Sequence, residues 1–376
     1  MSTTTPVERV DDLAAAAAAF PVQKHPAPLP AVEREKVTAE PKFGTVFTDH
    51  MARARWTRES GWTDRRVEAY GPLEMDPATA VLHYAQEVFE GLKAYRHADG
   101  SIWSFRPESN GARLAISARR LALPELSITD FMGSIAALVS ADRQWVPAGE
   151  DASLYLRPFM YASEKFIGVR SSNEVEYLVI ASPAGPYFSG GVRPVSIWVA
   201  QDYHRAGPGG TGTAKCGGNY AASLLPQQIA AEQGFDQVCF LDATTNSMVE
   251  ELGGMNIFAV YENGQIVTPE LSGTILEGIT RFSIIQLLVD DNREVVEKPL
   301  ALGTLQDDIA SGAISEVFAC GTAAVVTPIG RLAGAEFDLK IRDGDPGPVT
   351  MQIREHLTDI QYGRAADPYG WMRRLA

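Results

Sequence analysis

The spacing of strand-length apolar runs restricts the fold of this chain more than any other feature. Residues 153–158, 175–181, 195–200, 237–242, 256–261 and 315–320 each read as a strand, alternating or continuously apolar. Two shorter runs, 93–96 and 101–105, flank Asp99-Gly100, a hairpin turn signal. Helical periodicity is sparser. It covers 107–123, 128–144, 221–233 and 279–289. The stretch 79–91 also reads as a helix, with Leu82, Ala85 and Phe89 on one face and Gly91 as its stop. Strands outnumber helices, and few are spaced as strand–helix–strand units. The expected class is α+β rather than a doubly wound parallel sheet.

A chain of 376 residues suggests two domains rather than one. Pro183, Gly185, Pro186, Gly190 and Gly191 crowd one short segment and mark it as a connection. The expected division is a tail at 1–35, a smaller α/β domain at 36–184, an interdomain loop at 185–195 and a larger domain at 196–376. In the tail, alanines 14–19 allow a helical turn or two before Pro21, Pro26, Pro28 and Pro30 intervene. Disorder, or a strap across a partner, is expected there. Asp11 and Asp12 precede the alanines where a secretion signal carries positive charge.

The formal net charge of -14 argues against a nucleic-acid surface, which needs clustered Lys and Arg. No apolar run approaches a membrane span. Cys216, Cys239 and Cys320 form no C-x-x-C pair, which favours a reducing compartment, the cytoplasm. No two histidines stand at H-x-x-x-H spacing, so no metal site is expected.

Lys215 lies in the uncharged, glycine-rich run 211–220. No carboxylate is near in sequence, and burial in such surroundings disfavours an ammonium. A neutral amine is the form that bonds to a carbonyl cofactor. A phosphate-cradling G-x-x-x-x-G-K-[ST] loop fails here, since Ala214 replaces the last glycine and Cys216 the hydroxyl residue. A plain surface lysine stays open as the alternative.

Other segments offer anion sites. Gly278, Ile279 and Thr280 open a helix whose free N–H groups suit a phosphate, or are simply capped. Thr322 and Ala323 follow a strand end, where a tight turn presents N–H groups to an anion. Glu250 and Glu251 precede an apolar strand. Buried beside a pyridine nitrogen, such a carboxylate keeps the nitrogen protonated; a solvated acidic turn is the other reading. Tyr155 and Arg157 face one side of a strand, as a carboxylate site or a surface pair. Arg113 is a further phosphate candidate, and Tyr84 and Phe89 read as core on pattern alone. An amine, anion cradles and a ring-nitrogen partner together fit a pyridoxal-phosphate enzyme better than any other assembly.

Seven motifs in order carry a resemblance. They are HYAQEVFEGLKAYR (83–96), FRPESNGARL (105–114), LYLRP (154–158), GTAKCGGNYAASL (212–224), EELGGMNIF (250–258), TPELSGTILEGITR (268–281) and EVFACGTAAVVTP (316–328). In these the chain resembles the branched-chain amino acid aminotransferases, of the fold-type IV pyridoxal-phosphate class, from about residue 43 to 363. The resemblance implies a two-domain fold like that of D-amino acid aminotransferase, the larger domain having a β-barrel-like core.

It also implies roles. Lys215 would carry pyridoxal 5'-phosphate and later move a proton at the substrate Cα. Tyr220 would hydrogen-bond the phenolic oxygen of the cofactor, and Glu251 rather than Glu250 its ring nitrogen. Arg113, Gly278, Ile279, Thr280 and Thr322 would hold the phosphate. Tyr155 and the N–H groups of Thr322 and Ala323 would grip the α-carboxylate. Arg157 and Tyr84 would accept the distal carboxylate of glutamate, and Phe89 and Tyr187 would line the apolar pocket. A homodimer is implied, as small-domain groups of the family reach the neighbouring site. The implied reaction is ping-pong transfer of the amino group from leucine, isoleucine or valine to 2-oxoglutarate, giving glutamate. The chain departs from some relatives at Ser60, at Gly254 and after Cys320, where no redox C-x-x-C follows. A D-amino acid transaminase, an aminodeoxychorismate lyase and a non-catalytic cofactor carrier are the rivals.

Overall fold

The computed structural model describes residues 7, 9–149, 151–185 and 192–376. Two mixed layers of sheet and helix follow one another along the chain, as the α+β reading requires. The first contains β1 (His50–Thr57), β2 (Gly61–Ala69), β3 (Glu87–Phe89), β4 (Leu92–Arg96), β5 (Ile102–Phe105), β6 (Ser153–Ala162) and β7 (Glu174–Ala184). All its pairs are antiparallel. Helices α1 (Leu13–Ala18), α2 (Ala31–Ala39), α3 (Val81–Tyr84), α4 (Pro107–Arg120) and α5 (Ile128–Ala141) belong to the same half of the chain.

The second sheet takes β8 (Val195–Ala200), β9 (Gln237–Leu241), β10 (Val249–Leu252), β11 (Asn256–Tyr261), β12 (Ile266–Thr268), β13 (Val295–Glu297), β14 (Ile314–Gly321), β15 (Val325–Gly334) and β16 (Phe337–Lys340). Its strands run in the order β10-β9-β8-β15-β14-β11-β12-β13, with β8 parallel to both neighbours. Helices α6 (Gly217–Glu232), α7 (Ile279–Asp290), α8 (Leu302–Ala310) and α9 (Pro348–Gln361) accompany it. The last strand, β17 (Met372–Arg374), returns to the first sheet and pairs with β5. The C-terminus therefore ties the two halves together. None of the described helices is long and apolar enough to cross a membrane.

The strand β6 runs straight through Pro158, a residue that supplies no N–H to a ladder. It is tolerated because β6 changes partner there. Residues 154–156 pair with β4 and residues 159–161 with β3.

The helix expected over 79–91 is corrected. Only Val81–Tyr84 is helical, Ala85 turns into the left-handed region at φ 47°, and Glu87–Phe89 is a strand. Pairing with β6 overrides the helical pattern, burying Val88 completely and leaving Leu82 exposed. Gly91 is not a helix stop. A Cβ there would collide with the Tyr155 hydroxyl, so the glycine makes room for that side chain.

The alanine run does form a helix, α1, capped by Asp12, which accepts the Ala15 N–H at 2.8 Å. It lies on α5 of its own chain. Gly133 permits the approach, since a Cβ there would strike the Ala16 carbonyl. Phe20 then enters the first core. Along the outer side of β2 the Gln23 N–H donates to the Val67 carbonyl, and the Val67 N–H donates to the Pro21 carbonyl. This strap covers a sheet edge that would otherwise expose unpaired backbone groups.

Candidate active site

The loop before α6 is stitched to β3. The Phe89 N–H donates to the Lys215 carbonyl at 2.9 Å, and the Gly217 N–H donates to the Glu87 carboxylate. The Lys215 N–H donates to Ser117 Oγ of α4 at 2.9 Å. Asn219 closes the loop from inside, its Nδ2 donating to the carbonyls of Thr211 and Ala214, each at 2.8 Å. Gly212 packs against the backbone of Thr274, where a Cβ has no room. These contacts fix the lysine backbone and leave its amine to neighbouring side chains.

That amine donates to the Tyr220 hydroxyl at 2.6 Å. The Phe89 ring lies 4.8 Å from Lys215 Nζ and 4.8 Å from the Arg157 guanidinium, and 4.9 Å from the Tyr220 ring. Arg157 and Tyr155 share a face as their spacing requires, with Arg157 Nη2 donating to the Tyr155 hydroxyl at 3.1 Å. The motifs at 89, 155, 157, 215 and 220 thus converge.

Glu250 and Glu251 are both buried, but they have different partners. Glu250 accepts from the hydroxyl of Thr274. Glu251 accepts the Leu276 N–H at 2.9 Å and pairs with Arg205 at 2.8 Å. Burial pushes the Glu251 carboxyl up to about 7, against the opposing pull of Arg205 and the Leu276 N–H.

Arg113 is buried in a two-pronged pair with Glu90, at 2.7 and 2.9 Å, and donates to the Glu277 carbonyl at 2.9 Å. It therefore stands beside Gly278, the N-cap of α7. No side chain caps this helix. Ile279, Thr280 and Thr322 line one small cavity of about 20 Å³ with Lys93 and Asn110. A larger cavity of about 520 Å³, bordered by Arg9, Arg106, Phe282 and Trp371, touches none of the residues singled out in the sequence. The candidate site is chosen by its side-chain chemistry and not by cavity size.

Two expected residues stand apart. Tyr84 is partly exposed beside His83 and Phe166, and none of its ring contacts involves the Lys215 cluster. Tyr187 lies outside the described residues.

Several residues near the cluster escaped the sequence reading, Glu87 among them. Arg205 bonds the Gly212 carbonyl at 3.0 Å as well as Glu251, joining the lysine loop to the Glu251 strand. Glu90 neutralises Arg113. Phe43 meets the Tyr155 ring edge-on at 4.9 Å. Lys93 donates to the Ala323 carbonyl at 2.7 Å, and its burial pulls the amine down to about 8. Nothing in the local pattern around these residues announces them. The only hint is that a buried arginine such as Arg113 demands an anion.

Residues 87–332 match the family model of class IV amino-transferases. The branched-chain-amino-acid aminotransferase of Mycolicibacterium smegmatis is 53% identical over 360 residues, covering 95% of this chain and 98% of that protein. The crystal structure of the Escherichia coli branched-chain amino acid aminotransferase superposes with a TM-score of 0.72 at 26% identity, covering 86% of this chain and all of that one. The branched-chain aminotransferase of Thermoproteus uzoniensis, solved with norvaline, gives 0.69 at 27% identity, covering 86% of this chain and 100% of that one. The chain belongs to the class IV aminotransferases. Within that class it is an enzyme of the branched-chain-amino-acid aminotransferase group.

Proposed function

We propose that the enzyme exchanges an amino group between L-leucine, L-isoleucine or L-valine and 2-oxoglutarate, in two half-reactions that share one pocket, with pyridoxal 5'-phosphate carried on Lys215. The single observation that carries the substrate pair is the Phe89 ring, 4.8 Å from both the Lys215 amine and the Arg157 guanidinium. An apolar wall joins the reacting amine to a cation. A branched side chain packs on the ring, and a distal carboxylate reaches the guanidinium.

The residues fit the cofactor. An uncapped helix start beside Arg113 suits a phosphate, and a buried carboxylate at Glu251 suits a ring nitrogen. Bound there, pyridoxal phosphate supplies the carbonyl that accepts the amine and a ring that spreads charge from Cα. Gly278, Ile279, Thr280, Thr322 and Arg113 would hold its phosphate. Lys215 moves the proton at the substrate Cα, and the Tyr220 hydroxyl orients the amine for that transfer. Tyr155 and the turn at Thr322 and Ala323 would grip the α-carboxylate, with Lys93 fixing the turn through the Ala323 carbonyl.

The proposal includes a cytoplasmic homodimer. Tyr84, exposed in one copy, would complete the neighbouring copy's site, and Tyr187 would add to the apolar wall. Three buried free cysteines accord with a reducing compartment. The test is a substrate panel with 2-oxoglutarate, read by chiral analysis of the glutamate formed. Turnover of L-leucine, L-isoleucine and L-valine is expected. Turnover of D-alanine or aminodeoxychorismate alone would overturn the assignment.

A further inference from the structure

We infer that Glu87 is a specificity-determining residue, the resident counter-charge of Arg157 that favours apolar over dicarboxylate side chains. The inference rests on the reading of Arg157 as the acceptor of the distal carboxylate. Glu87 stands two residues before Phe89 on β3, so both side chains leave the strand on the same side. Phe89 is the residue whose ring lies against Arg157. The Glu87 carboxylate is pinned in place by the N–H of Gly217, the first residue of α6 and two past Lys215. It is half-buried and cannot simply swing into solvent without losing that bond.

Arg157 needs such a neighbour. No described carboxylate comes within ion-pair distance of it, its Nη2 is spent on the Tyr155 hydroxyl, and its Nε is buried without a hydrogen-bond partner. A partly buried cation of this kind is costly when no anion compensates it. Burial pushes the Glu87 carboxyl up, against the opposing pull of the Gly217 N–H and, after it, of the Arg157 guanidinium.

The consequences for two substrate classes are opposite. A branched side chain brings no charge, and Glu87 then balances Arg157 across the pocket. A dicarboxylate brings its own anion to Arg157, and Glu87 repels it. One fixed carboxylate therefore tilts a shared pocket toward the apolar substrate, without closing it to the other.

The test compares kcat/KM for L-leucine and L-glutamate in the cofactor-loaded enzyme and in Glu87→Gln. Glutamine keeps an acceptor for the Gly217 N–H and drops the charge. The glutamate-to-leucine ratio is expected to rise about tenfold, chiefly through a lower KM for glutamate. If Glu87 only braces the Lys215 loop, the ratio stays put while both activities, or cofactor loading, fall together; that result overturns the inference. Should E87Q be recovered unfolded, Glu87→Ser gives the same readout with a smaller side chain. The parent reading is checked separately by Arg157→Gln, which must depress glutamate more than leucine. In that background E87Q must leave the ratio unchanged. An R157Q variant that treats both substrates alike would sink the role of Arg157 itself, whatever E87Q does.

Discussion

Lys215 and Tyr220 meet because a loop residue and the first turn of α6 are five positions apart. Tyr220→Phe removes the hydroxyl that accepts from the amine, and kcat should fall about tenfold to a hundredfold with the adduct on Lys215 retained. An unchanged kcat would remove the hydroxyl from the proposed proton transfer. Glu251 offers a pH signature. Burial raises its carboxyl to about 7 from an ordinary 4.5. Between those values the folded apoprotein binds more protons than the unfolded chain, so this group makes stability fall as pH rises. Glu251→Gln removes the slope. Its urea midpoint relative to the parent should therefore climb between about pH 5 and about pH 7.5; a constant offset would contradict the buried, proton-holding carboxyl. At this scale the sequence exposed residues whose type and motif announce chemistry, such as Lys215, Glu251 and Tyr155. It hid Arg205, Glu90 and Lys93, because a lone charged residue does not reveal what it is buried against.

Elements were legible where local pattern and tertiary pairing agree. The hairpin of β4 and β5 and the helices α4, α5 and α7 begin within a residue or so of their sequence signals. The stretch 79–91 was not legible. Its apolar spacing suits a helix, yet β6 offers a ladder to Glu87–Phe89 and the Lys215 carbonyl accepts the Phe89 N–H, and these pairings outweigh one helical face. The tail shows the same limit. Its alanines say that a helix is possible, but only the glycine at 133 on α5 gives that helix a seat. Gly133→Ala should therefore unseat α1 and lower stability by about 1–3 kcal/mol in thermal or urea unfolding, with kcat nearly unchanged. A variant as stable as its parent would show that the strap contributes nothing to the first core.

At the level of the whole molecule, the proposed site draws on both halves of the chain. β3, α4 and β6 bring Phe89, Arg113, Tyr155 and Arg157 from the first half. The second half brings Lys215, Glu251 and the start of α7. The proposed dimer adds Tyr84 from a neighbouring copy, and this is directly testable by mixing subunits. Lys215→Ala and Tyr84→Phe proteins, refolded or co-expressed together, should form hybrids with one site that has both wild-type residues. Activity toward 2-oxoglutarate above that of either parent is expected, and a simple average would place Tyr84 outside the partner's site. The most direct measurement of all is borohydride reduction of the purified enzyme followed by peptide mass spectrometry. The expected result is a phosphopyridoxyl group on Lys215, absent from a well-folded Lys215→Ala variant. The same group on Lys93 or another lysine, or none on folded, cofactor-treated protein, would contradict the central assignment.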